Sequence, residues 1–298
     1  MASTAGKLSF GEIAFGKIAF VRKVFGKLVL GLSVITMVAC RAHRDSNASD
    51  VRVVGGQFVH MSQDQRTLSH SVSLIARSST GDGHRCTGVV VGPHQIITAA
   101  HCLTNVKELD IGIGPRYWRL PGVKATNIMR HPRWTSSYPY DVGIITFSGD
   151  LPSQMKASTL SEDLTLRSGD KVLIAGFGSS GELHPDLRGE FGFLRQVQVD
   201  IDLVEPETNS FTIKPYTRKG GCHGDSGGPA FIDRQGQLEL VGIISGPSSD
   251  APCDEGHGSI TQILRYQGWL KCAFAKAQNP LDSMKDDASS VDCQMDRK

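Results

Sequence analysis

From residue 53 onward the chain alternates short apolar runs with turn signals. The runs fall at 71–76, 87–91, 95–98, 142–147, 171–175, 196–202 and 238–244, and Gly81-Asp82-Gly83, Gly92-Pro93 and Ser168-Gly169-Asp170 punctuate them. Short runs rich in Val and Ile, bounded by Gly, Pro and Asp, predict an all-β sandwich or barrel. Residues 260–274 break the pattern. There Ile263, Leu264, Trp269 and Leu270 predict a single C-terminal helix. Beyond Lys276 the chain is polar, with Pro280 and several acids.

The first fifty residues are organised differently. Residues 1–27 carry Lys7, Lys17, Arg22, Lys23 and Lys27 against one acid, Glu12, and repeat Gly6, Gly11, Gly16 and Phe10, Phe15, Phe20, Phe25 at five-residue intervals. No function follows from that repeat. Residues 28–39 are an uncharged apolar run of twelve, too short for a comfortable bilayer span and suited to a signal-peptide core. The run ends in Met37-Val38-Ala39-Cys40. Small residues before a cysteine, straight after an apolar core, resemble a bacterial lipoprotein signal, in which Cys40 is lipidated and tethers the chain to a membrane. Ordinary secretion with cleavage nearby is the alternative. Residues 41–52 are polar and aperiodic, as in a flexible linker.

Composition narrows the class. A chain of 298 residues, 39% hydrophobic, holds one β-rich domain of about 200–250 residues plus extensions. A net charge of +2 gives no reason to expect a nucleic-acid partner. The seven cysteines are Cys40, Cys86, Cys102, Cys222, Cys253, Cys272 and Cys293. Even with His84, His94 and His101 added, their spacing matches no common zinc pattern, and no metal or other cofactor is expected. Paired cysteines imply an oxidising compartment outside the cytoplasm, although spacing alone leaves the connectivity open.

The chemistry concentrates at Gly224-Asp225-Ser226-Gly227-Gly228-Pro229, preceded by Cys222-His223. That stretch suits neither helix nor strand and predicts a tight turn presenting the Ser226 hydroxyl. The turn exposes the amides of Gly224, Asp225 and Ser226, and such amides can stabilise a developing oxyanion. A serine hydroxyl is a weak nucleophile at neutral pH. It needs a base within hydrogen-bond reach, and the base needs an orienting group. Thr98-Ala99-Ala100-His101-Cys102 offers the base after an apolar run, and Tyr140-Asp141-Val142-Gly143-Ile144 offers an acid at the start of another. Singly, these read as a Gly-rich turn, a surface histidine and a turn aspartate. Together, in the order His, Asp, Ser, they point to nucleophilic catalysis.

The three stretches resemble the catalytic motifs of the chymotrypsin/trypsin-type serine proteases in order and rough spacing, and the resemblance runs from about residue 53 to about residue 272. It implies two six-stranded antiparallel β-barrels, a C-terminal helix and an active site in the cleft between the barrels. Ser226 would be the nucleophile, His101 the general base and Asp141 its orienting acid, with the Gly224 and Ser226 amides as the oxyanion hole. The resemblance suggests disulfides Cys86–Cys102 and Cys222–Cys253, leaving Cys272–Cys293 as the third pair. Arg52-Val53-Val54-Gly55-Gly56 resembles the family's activation site. Cleavage after Arg52 by a separate protease would free an ammonium at Val53 to pair with Asp225.

By the same resemblance Gly220 lies at the base of the primary specificity pocket, where a basic-specific enzyme carries an aspartate. Ser245-Gly246-Pro247 matches one pocket wall and Gly258 a second, with His223 beside them. Glycines at Gly220 and Gly258 leave an uncharged, deep pocket for apolar or aromatic side chains. Lys219 and His223 leave an acidic preference as the alternative. Pro247 stands where glycine is common, and Gly143 where alanine is common. The expectation is a signal segment at 1–40, a linker and activation peptide at 41–52, a protease domain at 53–275 and a polar tail at 276–298. The protein would be a monomeric endopeptidase acting on proteins or peptides, secreted or lipid-anchored. A catalytically silent, protease-like binding protein is the alternative.

Overall fold

Pairs of adjacent apolar residues divide between different cores. In the computed structural model, Val90, Ile96 and Ile145 pack with Val72, Leu74, Ile111 and Phe147 inside one sheet. Their neighbours Val89, Ile97 and Ile144 pack instead with residues of the other sheet and the C-terminal helix, among them Ile243, Tyr266 and Trp269. Ile244, adjacent to Ile243, lies inside the second sheet with Val172, Ile174, Val199 and Phe211. Successive side chains of a strand point to opposite faces, so strands covered on both faces read as unbroken apolar runs.

The structure describes residues 53–116, 118–119, 123–136, 139–162, 165–179, 192–247, 253, 258–277 and 293. The expected signal segment, Cys40, Arg52 and most of the polar tail lie outside the described residues. The first sheet contains β2 (Ser71–Arg77), β3 (Gly83–Gly92), β4 (Gln95–Thr98), β5 (Glu108–Ile113), β6 (Trp118–Arg119), β7 (Lys124–Arg130) and β8 (Gly143–Ser148), in the order β6-β5-β2-β3-β4-β8-β7. The second contains β1 (Gln57–Phe58), β9 (Thr159–Leu160), β10 (Lys171–Gly176), β11 (Arg195–Glu205), β12 (Ser210–Ile213), β13 (Pro229–Arg234), β14 (Gln237–Pro247) and β15 (Gly258–Gln262). Its order is β1-β11-β10-β13-β14-β15-β12, and β12 pairs back onto β11 to close a six-stranded barrel. β9 joins β14 in parallel at the margin.

Two expectations need adjustment. Only the second barrel is closed by a continuous ladder; the first sheet curls into a half-barrel. The outer edge of β5 is occupied at Gly112 and Ile113 by β6, so that edge is not free to pair with β7. The C-terminal helix also begins later than its apolar pattern suggested. Ser259, Ile260 and Thr261 belong to β15 and pair with both β12 and β14. A single 3-10 turn, Ile263–Tyr266, precedes α1 (Gln267–Ala277). Pairing on both edges overrides weak helical periodicity for these residues. α1 buries Trp269, Leu270 and Ala273 on one face, and full burial of a Leu-sized side chain contributes about 1.5–3 kcal/mol. Among the described residues no helix is long and apolar enough to cross a membrane.

Candidate active site

The register of the first sheet brings a histidine and an aspartate together. β4 and β8 run antiparallel with Thr98 opposite Gly143. The turn after β4 (Ala100–Leu103) therefore lies against the residues that lead into β8. There Asp141, only 4% exposed, accepts two bonds from His101: the backbone N–H to Oδ1 at 2.9 Å and ring Nδ1 to Oδ2 at 2.8 Å. The Ser245 hydroxyl donates a third, short bond to Oδ2. The preceding residue, Tyr140, has φ +79, a costly conformation for a non-glycine residue. Its surroundings hold it there. Its N–H donates to Tyr266 Oη at 3.1 Å, His131 stacks on its ring at 4.8 Å and the Arg133 guanidinium lies 4.2 Å above it.

Ser226 belongs to the loop that enters β13. The Asp225 N–H donates to Cys222 O at 3.0 Å and the Gly228 N–H to Asp225 O at 2.8 Å, which closes two tight turns. Gly224 and Gly227 have φ +94 and +80, in the left-handed region that a side chain resists. Of the three amides expected to be exposed, two remain so. The Gly224 and Ser226 N–H groups meet no acceptor among the described residues, whereas Asp225 has spent its own on the turn. The Asp225 carboxylate is wholly buried and accepts the N–H groups of Gly178 at 2.7 Å and Cys222 at 2.8 Å. Burial pushes its pKa up to about 6, against the pull of those two amides and of the positive fields of Arg195 and His223.

Thr87 of β3, fully buried, joins the two sheets at this loop. Its N–H donates to Ser226 O at 2.8 Å, and its hydroxyl donates to Gly224 O and accepts the Phe177 N–H, both at 3.0 Å. His101, His223, Gly224 and Ser226 line one open cleft of about 730 Å³. No hydrogen bond links Ser226 Oγ to His101 Nε2. The arrangement has the parts of an acyl-transfer site: a hydroxyl, an imidazole oriented by Asp141 and two backbone amides with no acceptor among the described residues.

Comparison with known proteins agrees with this geometry. A family model described as Trypsin matches residues 57–270. The chain belongs to the trypsin family. It is a serine endopeptidase with the chymotrypsin fold. Hypodermin-A of Hypoderma lineatum is 30% identical over 217 residues, 66% of this chain and 78% of that protein. Kallikrein-7 of Homo sapiens is 26% identical over 220 residues, 66% and 80% of the two chains. Chymotrypsin-like elastase family member 1 of Bos taurus is 24% identical over 271 residues, 82% and 98%.

The protease is braced by disulfides Cys86–Cys102, Cys222–Cys253 and Cys272–Cys293. The first ties the His101 turn to β3 and the second ties the Ser226 loop to residue 253. Cys86, Cys102 and His101 lie close enough together to hold a metal ion, but the disulfide leaves no thiolate to bind one. Gly220, Gly246, Pro247 and Gly258 lie near one another. Gly246 and Pro247 pair with Ser259 and Gly258 across β14 and β15, and Gly220 donates its N–H to Val54 O at 3.0 Å. A side chain added at Gly220 or Gly258 would meet the same atom, Ile213 Cδ1, at 3.3 and 2.8 Å. Gly143 has a similar cause, because a Cβ there would come within 2.7 Å of Leu103 Cδ1.

Sequence reasoning missed four contributors. Ser245, expected from the sequence as a pocket-wall residue, has a further contact in the donation of its hydroxyl to Asp141. Thr87 and Ile213 carry no motif. Arg195 is fully buried, donates to Gly178 O at 3.0 Å and lies 4.7 Å over the Phe58 ring.

Proposed function

We propose that this endopeptidase is made as a precursor, is activated by cleavage after Arg52, and cuts peptide bonds after aliphatic residues through Ser226, His101 and Asp141. The observation that carries this reading is the His101–Asp141 pair sharing a cleft with a serine and two amides free to bind an oxyanion. An ionised carboxylate only accepts hydrogen bonds, so Asp141 keeps the imidazole proton on Nδ1 and leaves Nε2 as a base. Ser226 Oγ attacks the substrate carbonyl carbon while Nε2 takes its proton. The carbonyl electron pair moves onto oxygen, which the Gly224 and Ser226 amides bind; each such donor contributes about 3 kcal/mol. His101 then gives the proton to the departing amine nitrogen as the C–N bond breaks. Water repeats the sequence on the ester and restores Ser226. A nucleophile–base hydrogen bond is often loose until substrate is bound.

Support for activation comes from Val53. It is fully buried in the closed barrel with Val172, Ile174 and Ile213, and Val54 packs on Cys222 and Cys253. Val53 also has φ +31, which is severe for a β-branched residue. Cutting the 52–53 bond removes the preceding carbonyl and with it that conflict. It also supplies a cation for Asp225, whose raised pKa marks a buried carboxylate short of compensation. Self-cleavage is disfavoured because Gly220 gives the pocket no acid to receive Arg52, so a separate protease activates the chain. Chain cut after Arg52 is expected to take up a fluorophosphonate at Ser226 and to hydrolyse peptides. An Arg52→Gln precursor given the same activating protease is expected to stay below about 1% of that rate, because the buried ion pair contributes about 3–5 kcal/mol. Equal labelling and turnover of the two would overturn the activation scheme, and no labelling of either would overturn the mechanism.

Ile213 refines the pocket. It fills the space between Gly220 and Gly258 and is 1% exposed, so the base is apolar and closed, shallower than two glycines alone suggest. Leucine-sized side chains fit that space better than aromatic ones. Ile213→Ala is expected to raise kcat/KM for phenylalanine over leucine substrates by about tenfold or more, the scale of a few methylenes in an apolar pocket. An unchanged ratio in matched peptides would place the specificity elsewhere. The three disulfides fit an extracytoplasmic site of action. We infer export by the 28–39 segment with tethering through Cys40, and activation would then also release the domain from its anchor.

A further inference from the structure

We propose that Thr87 is a positioning residue for the oxyanion-binding amides, holding the Ser226 loop in its working form from the opposite sheet. The inference rests on the reading of Gly224 and Ser226 given above. Thr87 is fully buried, and four of its hydrogen-bonding capacities are in use. Its N–H fixes the Ser226 carbonyl and its hydroxyl fixes the Gly224 carbonyl, so the residues on both sides of Asp225 are gripped by one side chain and its own backbone. The same hydroxyl accepts from Phe177 N–H, and the next residue of that strand end, Gly178, donates to the Asp225 carboxylate. The Thr87 carbonyl is itself held by Thr98 Oγ1 at 2.8 Å, close before His101 in the chain.

A clamp is needed because Gly224 has no side chain and φ +94. Glycine crosses between conformations at little cost, so the peptide planes around it can rotate and carry the amide away from the oxyanion. The Gly224 N–H lies in the 223–224 peptide plane, whose His223 carbonyl accepts from the Ser179 N–H at 2.8 Å. The Thr87 hydroxyl fixes the next plane through the Gly224 carbonyl. The two planes that meet at Gly224 are thus held from both sides, and Thr87 does this without contacting substrate. The Gly178 N–H on the Asp225 carboxylate and the Ser179 N–H on the His223 carbonyl anchor the loop from the second barrel, and Arg195 holds the Gly178 carbonyl in turn. Thr87 is the anchor from the first, and it couples the His101 half of the site to the Ser226 half.

The test compares processed wild type with Thr87→Val, which keeps the shape and removes the hydroxyl, and Thr87→Ser, which keeps the hydroxyl. Rates are normalised to active sites by fluorophosphonate titration. Thr87→Val is expected to lose about tenfold or more in kcat with KM within about twofold, since an oxyanion interaction acts on the transition state. Its affinity for a peptide aldehyde, which forms the tetrahedral adduct, should fall in step with kcat/KM. Thr87→Ser should retain at least about a third of wild-type kcat, on the reasoning that the donor is kept. Amide exchange over residues 222–228 should quicken in Thr87→Val alone, and this readout does not depend on activity. A Thr87→Val enzyme with lowered Tm but unchanged kcat and aldehyde affinity would overturn the proposal. If Thr87→Val does not accumulate, Thr87→Gly must show the same split. Failure of both to fold would assign Thr87 to the fold alone and overturn it too. An inactive wild type would instead count against the proposed function, with the exchange comparison still deciding the clamp.

Discussion

Ser226→Ala is expected to lower turnover of the processed enzyme about a millionfold while leaving its stability nearly unchanged; the figure is that of analogous triads. The two halves of this expectation have separate grounds. Turnover falls because the variant lacks the hydroxyl that Ser226 brings to the cleft it lines with His101 and Gly224. Stability holds because Ser226 Oγ makes no hydrogen bond among the described residues, and the loop is fixed by backbone groups that alanine keeps. Those groups are Ser226 O with the Thr87 N–H and, on either side, the Asp225 and Gly228 turns. Calorimetry of the variant should give a Tm within a few degrees of wild type, since Ser226 is only half-buried and loss of a side-chain hydroxyl that holds no hydrogen bond changes stability by about 0.5 kcal/mol or less. Peptide hydrolysis within tenfold of wild type would remove Ser226 from the role of nucleophile.

Much of this arrangement was legible in the sequence, for a local reason. A nucleophilic loop needs glycines, an aspartate and a serine in one short stretch, and a base at a strand end needs its small neighbours. Both therefore appear as contiguous words, at Gly224–Pro229 and Thr98–Cys102. The all-β pattern was legible for the same reason, since the period of two is a property of a single strand. What escaped depends on pairs far apart in the chain. Ser245 meets Asp141 across 104 residues, and Thr87 meets Gly224 across 137. Nothing in the immediate neighbourhood of Thr87 distinguishes its hydroxyl from that of any strand threonine. Ile213 is a β-branched residue at a strand end and comes up against Gly220 and Gly258 only through the long-range pairing of β12 with β15. The helical pattern at 260–262 misleads for a related reason: the strand partners that decide the matter, on both β12 and β14 for Ile260 and Thr261 and on β14 for Gln262, are absent from the local window.

Asp141→Asn should be the second largest loss, about ten-thousandfold in kcat, a magnitude taken from triads of this family. Asp141 accepts three donors, the His101 N–H, His101 Nδ1–H and the Ser245 hydroxyl. Asparagine presents one acceptor oxygen and an NH2 that only donates. If that oxygen serves the His101 backbone N–H, the NH2 faces Nδ1 and forces the imidazole proton onto Nε2, where the base should be. If the amide is flipped, the backbone N–H is left buried against a donor. Either way the fold is largely kept and the protonation pattern is wrong, so kcat should fall far more than Tm. Ser245→Ala tests the same carboxylate from the other side. It removes one donor but preserves the tautomer, so its kcat should fall only about tenfold, in line with one hydrogen bond to a charged group. Equal losses in the two variants, or an Asp141→Asn enzyme within tenfold of wild type, would mean that Asp141 is a structural brace for the His101 turn and does not select the tautomer of the base.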